Sequence, residues 1–400
     1  MKRTILYISY DGMLEPLGQS QVLSYQERLT DEFEIHILSY EKSSDESLRK
    51  HIIERFKGAG LHWHPLKYHK NPAGLSTAVD IAHGLLKAFF IARNYKVDII
   101  HARSYVPAVI ALGLKKVLGV KFLFDMRGFW VDERVDGGLW KQNSYIYKLS
   151  KWFESKFLLN ADFIISLTHA AVREIKKFPY LADHSLRISV IPTCTDLSRF
   201  KLANLPKDSL NNKFILGYVG SIGTWYNFDA VIEAFKELRL QQPRSKLLIV
   251  NQNENELISS MVAKADIASE FFEIIKATHH EIPTLMQEMS AGIFFIKPLF
   301  SKQASAPTKL GEYLGCGIPC LSNKGVGDMT HILEGENVGI AVADFNNRSL
   351  RTGISQIIKL SKEPGISERC SAVSKKYFSL DKGVSDLRRI YIQLTVTNNA

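Results

Sequence analysis

Cysteine is scarce in this chain. There are four in 400 residues, Cys194, Cys316, Cys320 and Cys370, with no CxxC pair and no zinc-ligand spacing. A disulfide framework is thereby disfavoured, and the thiols suit a reducing, cytosolic setting. Runs of five or six like charges are also missing, which argues against a nucleic-acid-binding tail. No apolar run approaches membrane-spanning length, and the strand-like residues 5–9 behind Met1-Lys2-Arg3-Thr4 are too short for a signal-peptide core. Any contact with a membrane is therefore expected on its surface. The Gly-rich GxGxxG fingerprint is absent too, which argues against a dinucleotide dehydrogenase.

What is present is an ordinary globular composition, 46% hydrophobic and 23% charged, long enough for two domains. The net charge of +10 and the pI near 9.2 favour an anionic partner: nucleotide phosphates, a lipid pyrophosphate, a bilayer surface or nucleic acid. Strand-like segments at 4–10, 33–39, 61–65, 97–102, 121–126, 163–167 and 188–192 alternate with helical ones. The pattern resumes at 214–219, 246–250, 271–275, 292–296, 318–321 and 338–342. Such alternation predicts an α/β protein of parallel sheets covered by helices, with ligands beyond the carboxyl ends of the strands.

Punctuation and charge are densest at Ser305-Ala306-Pro307-Thr308-Lys309-Leu310-Gly311-Glu312-Tyr313-Leu314-Gly315-Cys316-Gly317-Ile318-Pro319-Cys320. This reads as a loop, a helix of about two turns and a buried strand, with Pro307 in the first turn and Gly317 in the left-handed position after the last. Free backbone N–H groups, the hydroxyls of Ser305 and Thr308 and the ammonium of Lys309 then meet at one helix end as an anion site. Glu312, one turn on, can accept hydrogen bonds from a neighbouring diol. A nucleotide sugar offers both a diphosphate and a diol. The plain alternative is an i,i+3 surface pair of Lys309 and Glu312.

The run from Pro307 to Pro319 resembles the donor-site motif of family 4 glycosyltransferases. The resemblance implies a GT-B fold, two Rossmann-like domains facing across a cleft with a C-terminal helix crossing back to the first. It further implies a retaining transfer from a nucleotide sugar, with Glu312 on the ribose. The expected layout is an acceptor-side domain at 1–192, a linker at 193–212, a donor domain at 213–375 and a returning helix at 376–400. Ile191-Pro192-Thr193-Cys194-Thr195-Asp196 resembles the family's hinge. No cofactor or metal is expected, a UDP-sugar or GDP-sugar is the donor, and the acceptor is a glycan or lipid-linked glycan of surface polysaccharide assembly. Localisation follows as cytoplasmic, with peripheral contact at the inner face of the membrane. Three departures stand out, one being Arg127-Gly128 where the family commonly carries a His-Gly pair. Ala304 occupies the place of an earlier family glutamate, and the loop after the strand at 214–219 lacks the family's Arg and Lys.

Donor contacts are expected from Ser221, Gly223 and Thr224 of that loop, from Gly18 after the first strand, and from Lys297, Ser305, Thr308, Lys309, Leu310 and Glu312. Lys309, Lys297 or Arg127 must supply positive charge to the diphosphate. On the acceptor side, His101, Asp125 and Arg127 end two probable strands and are the candidate catalytic groups. Asp125 and Arg127 read equally as a structural pair, since unpaired buried charge is penalised. Residues 141–159 form an amphipathic helix whose lysines and aromatics suit a bilayer interface, or a solvated face with one buried aromatic stripe. His62-Trp63-His64 and His279-His280 have no adjacent carboxylate or cysteine pattern in the sequence, so no metal is assigned to them. Rival functions are a nucleotide-sugar epimerase of the same fold and a catalytically silent partner subunit; a basic nucleic-acid binder is the weakest.

Overall fold

The computed structural model describes residues 2–42, 45–72, 74–202, 213–278 and 280–396. Residues 203–212 of the expected linker and His279 lie outside the described residues. The chain divides into two compact units, Met1–Ile191 with Asp381–Ala400, and Pro192–Leu380.

The first unit holds a seven-stranded parallel sheet: β1 (Arg3–Ser9), β2 (Phe33–Glu41), β3 (His62–Lys67), β4 (Ile99–Arg103), β5 (Lys121–Asp125), β6 (Phe163–Ser166) and β7 (Ile188–Val190). Their order is β3-β2-β1-β4-β5-β6-β7. In β1 the six residues after Arg3 are buried without alternation, as a strand covered on both faces requires. The order reverses between β1 and β4, in register from Ile5 opposite Ile99 to Ser9 opposite Arg103. Loops leaving this point open a crevice.

The second unit repeats the plan with six strands: β8 (Ile215–Val219), β9 (Lys246–Val250), β10 (Phe272–Ile275), β11 (Ala291–Ile293), β12 (Cys320–Asn323) and β13 (Gly339–Val342). The order is β10-β9-β8-β11-β12-β13, so the reversal falls between β8 and β11. Every strand-like segment expected from the sequence is a strand. The bounds shift by up to three residues where sheet pairing, rather than the apolar run, sets the end. Both sheets, with their helices, are the α/β architecture expected.

One expectation is corrected. The helix Leu75–Asn94 is long and apolar enough to cross a membrane by length and composition alone. Its Asp80 is fully buried and accepts hydrogen bonds from the Tyr10 hydroxyl (2.8 Å) and the His69 amide (3.2 Å), with His69 Nδ1 at 2.6 Å. Those bonds fix the helix onto the loops after β1 and β3. At the other end of the chain, the helix expected at 376–400 runs over Leu380–Val396, and the residues before it form a separate helix, Ile366–Phe378.

Candidate functional site

In the second unit the loop after β8 turns on Gly220, whose φ of +108° excludes ordinary side chains. A Cβ there would stand 3.1 Å from Lys309 Nζ, so the glycine also leaves space for that ammonium. Glu254 braces the loop by accepting from the Ile222 amide (2.9 Å) and from Asn251 Nδ2 (2.9 Å), while Asn251 Nδ2 also donates to the Gly220 carbonyl (3.0 Å). Antiparallel pairing of Tyr226 with Ile296 ties the loop to the segment after β11. Lys297 Nζ donates to the Thr224 carbonyl (2.9 Å), and Lys302 Nζ lies 3.6 Å from the Trp225 ring centre. Glu254, Asn251 and Lys302 had no motif to announce them; only their position beside the loop reveals them.

The helix Thr308–Gly315 follows, eight residues long, with Pro307 as its N-cap rather than in its first turn. A helix this short needs tertiary support. Ser374 Oγ donates to the Gly311 carbonyl (2.8 Å), Tyr313 hydroxyl to the Gly217 carbonyl (2.9 Å), and Gly317 takes the expected left-handed φ of +73°. Ser305, Thr308 and Glu312 remain partly exposed. Leu310 is corrected to a core residue: its side chain is buried, and its amide already donates to the Pro307 carbonyl (3.1 Å).

Lys309 is the centre of this arrangement. Its ammonium is buried and has no hydrogen-bond partner among the described residues, lying instead among the rings of Tyr226 (3.8 Å), Tyr218 (4.9 Å) and Phe294 (5.5 Å). Burial lowers its pKa to about 7 against the pull of Glu312 and Glu254. Burial likewise raises Glu312 to about 7, opposed by Lys309 and Arg199. A buried ammonium that faces aromatic rings and lacks a hydrogen-bonded counter-ion is poised to receive an anion. Ser221 and Thr224 are exposed and Gly223 is partly so, all on the same braced loop. Sequence reading thus brought together Ser221, Gly223, Thr224 and Lys297 on one loop system, and Lys309 with Glu312 on the helix beside it.

In the first unit, the ends of β4 and β5 gather His101, Arg103 and Asp125. Asp125 Oδ2 lies 3.6 Å from His101 Nε2 and 3.7 Å from Arg103, and its Oδ1 lies 3.9 Å from Arg127. Arg103 also donates to Asp11 (3.2 Å). Burial would raise Asp125, but Arg127, the nearby His101 ring and Arg103 together hold it below the usual carboxylate range. Burial lowers His101, keeping a neutral ring. Tyr391, from the C-terminal helix, lies 2.8 Å from His101 Nδ1, a partner 290 residues away in sequence. Arg127 adopts φ +58° and Ser104 φ +69°, so both strand ends hold non-glycine residues in a costly conformation.

Gly18 belongs to this unit and receives a different explanation from the one expected. A Cβ there would come within 2.0 Å of the Gly12 carbonyl oxygen, so its own loop requires the glycine. The helical turn begins at Pro16, two residues before Gly18.

A cavity of about 720 Å³ opens beside the same strand ends, walled by Ile81, Tyr105, Trp130, Trp140 and Phe153, with Asp11 and Arg103 among its polar lining. It lies among the helices Leu75–Asn94, Tyr105–Leu118 and Tyr145–Asn160. The last, expected at 141–159, exposes Tyr145, Ile146, Leu149 and Trp152, while Glu154, Phe157 and Leu158 are buried. Leu75, Val79, Leu86 and Phe90 of the first are exposed as well.

Two family models match the sequence: "Glycosyltransferase Family 4" over residues 20–199 and "Glycosyl transferases group 1" over residues 203–376. No curated protein sequence matches it. Among solved structures, a glycosyltransferase from Rickettsia africae is 17% identical with a TM-score of 0.73, over the whole of both chains. Anabaena HepE, solved with UDP and glucose, is 12% identical with a TM-score of 0.70, over 98% of this chain and 100% of that one. WaaG, a glycosyltransferase involved in lipopolysaccharide biosynthesis, is 13% identical with a TM-score of 0.64, over 95% of this chain and 98% of that one. At such identities the likeness speaks for the fold.

Proposed function

The chain belongs to the family 4 glycosyltransferases, and on that premise we propose that it moves a sugar, with retention, from a UDP-sugar or GDP-sugar to a glycan or lipid-linked glycan. The observation that carries the donor side is the unpartnered, buried ammonium of Lys309 at the start of a helix, with Glu312 one turn behind it. Diphosphate oxygens complete the coordination of that ammonium, and the exposed groups of Ser221, Thr224, Ser305 and Thr308 add donors. Glu312 accepts from the ribose diol. Lys309 thereby fills the role of the Arg and Lys missing from the loop after β8, while Lys297 acts through that loop by holding the Thr224 carbonyl. HepE, bound to UDP and glucose, supports a nucleotide sugar as the ligand class.

In the transfer, the acceptor hydroxyl oxygen bonds to the anomeric carbon on the face from which the diphosphate departs, and its proton passes to the departing phosphate oxygen. No protein nucleophile is needed. The ammonium and backbone dipoles stabilise the charge that grows on the diphosphate, commonly the largest catalytic term. His101, Asp125 and Arg127 orient the acceptor: Arg127 donates to a sugar or phosphate oxygen, and Asp125 holds Arg127 or accepts from a neighbouring, non-reacting hydroxyl of the acceptor. The apolar cavity beside them suits the hydrocarbon of a lipid-linked acceptor, and the exposed apolar residues of its bordering helices, with Lys148 and Lys156 nearby in sequence, suit the inner face of the membrane. Surface polysaccharide assembly is the setting this combination fits, and WaaG gives it a structural parallel.

The test is thermal stabilisation of the wild type and of Glu312→Ala by UDP, GDP and ADP at matched concentrations. Ligand at a hundred times its dissociation constant adds about 2.7 kcal/mol. A shift with one nucleotide, lost in the variant, is expected. Equal shifts in both proteins would remove Glu312 from the donor site, and no shift in either would favour the silent-subunit reading.

A further inference from the structure

Far from the strand ends just described, at the amino end of the first sheet, four titratable side chains converge. Residues two apart on a strand share a face, so Glu34 and His36 of β2 point the same way, as do His62 and His64 of β3. The register pairs His36 with His62 and Leu38 with His64, which sets the two groups side by side. The His36 and His62 rings stack at 4.4 Å, and Glu34 Oε1 lies 3.3 Å from His36 Nε2 and 3.9 Å from His62 Nε2. His36 Nδ1 meets His64 Nε2 at 3.0 Å.

We infer that Glu34, His36 and His62 form a binding site for one divalent transition-metal ion, zinc by ligand type, which staples edge strand β3 to β2. Zinc bonds of about 2.0–2.2 Å to nitrogen and oxygen, in tetrahedral geometry, place neighbouring ligand atoms about 3.3 Å apart. One edge of the tetrahedron is already at that length, the second exceeds it by about half an ångström, and all three ligand atoms lie within 4.8 Å of one another. The rings of His36 and His62 are 15° from parallel, so His62 must swing to aim its lone pair at the ion. Its side chain is 50% exposed and that of Glu34 39%, which leaves both free to move and opens the fourth position to water.

The outer shell is in place as well. With metal on Nε2, His36 carries its proton on Nδ1 and donates it to His64 Nε2, the arrangement that orients most metal-bound imidazoles. Without metal the tautomers run the other way, His64 donating to His36 and His36 to Glu34, so the exchange needs no net proton. Tyr95, its ring 4.1 Å from that of His36, covers the cluster. The sequence alone hid this group: His62 and His64 have no carboxylate near them until β2 is laid alongside.

The full-length chain, stripped of metal by chelator and dialysed, is titrated with Zn²⁺ by calorimetry and with Co²⁺ by visible absorption. Glu34→Gln and His62→Ala, both at exposed positions, are compared with it. One equivalent of Zn²⁺ per wild-type chain, an intense tetrahedral Co²⁺ spectrum, and affinity lowered by roughly tenfold or more in each variant are expected. Amide exchange in β3 slows with Zn²⁺ in the wild type only. Absence of stoichiometric binding to the wild type, or equal binding by both variants, overturns the assignment. Nucleotide stabilisation, measured in parallel, is unaffected either way.

Discussion

Replacing Lys309 by methionine keeps the length of the side chain and removes the ammonium. Lys309 falls from 10.5 to about 7 on folding. The folded state therefore holds this proton less well than the unfolded chain, so the group opposes folding fully below about pH 7 and ceases to do so as pH rises towards 10.5. At pH 7 the linkage amounts to about 4 kcal/mol, and at pH 9 to about 2 kcal/mol. Attraction to the three aromatic faces offsets about 1–2 kcal/mol. Lys309→Met should then stabilise the free protein at pH 7 by roughly 2–3 kcal/mol, or about 5–10 °C for a unit of this size, and the gain should shrink by about 2 kcal/mol at pH 9. The same change removes a charge-assisted contact to the diphosphate, worth about 1.5–3 kcal/mol, and weakens UDP or GDP about 10- to 150-fold. Scanning calorimetry at both pH values, with and without nucleotide, measures all of this. A variant less stable than the wild type at pH 7, or a gap that does not narrow at pH 9, would refute the reasoning about the buried charge. An undiminished nucleotide shift would refute its proposed use.

Glu312→Gln should lower nucleotide affinity about tenfold and flatten its acid limb. The carboxyl is raised to about 7, so the wild-type acceptor is lost as pH falls through that value, whereas Lys309 loses its proton as pH rises through it. Calorimetric titrations from pH 6 to 9 should accordingly show wild-type binding strongest near neutrality. Asp125→Asn should leave nucleotide stabilisation intact and cut turnover roughly a hundredfold by misplacing the acceptor; an unchanged rate with any active donor and acceptor pair would count against the acceptor-side assignment. Gly18→Ala forces a methyl against the Gly12 carbonyl and should destabilise by roughly 1–3 kcal/mol. Nucleotide affinity in the surviving folded protein should not move, and a large loss of it would restore Gly18 to the donor site.

How much of this was legible beforehand differs from element to element. The strands of both sheets declared themselves through short apolar runs separated by helical stretches. The helix Thr308–Gly315 declared itself through Pro307 and Gly317, whose backbone preferences are local. Lys309 and Glu312 were legible for the same reason: one helical turn fixes their spacing, and charge in an apolar context marks them. Leu310 was read from the motif it sits in, whereas its helical phase turns it into the core. At Gly18 a glycine before a helix looks the same whether it admits a phosphate or is required by its own loop, and the contact with the Gly12 carbonyl is a reason of the second kind.

The amino-acid sequence by itself determined the local conformations, the parallel α/β class and the one motif whose chemistry is contained within a single turn of helix. Tertiary structure alone decided what depends on residues far apart in the chain: the aromatic enclosure that leaves the Lys309 ammonium without a partner, Glu254 under the loop after β8, Tyr391 on His101, and Glu34 and His36 beside His62. Burial and proximity are properties of the packed chain, and the pKa of a group follows from them. A sequence can supply the groups, but only folding sets the dielectric around them and the distances between them.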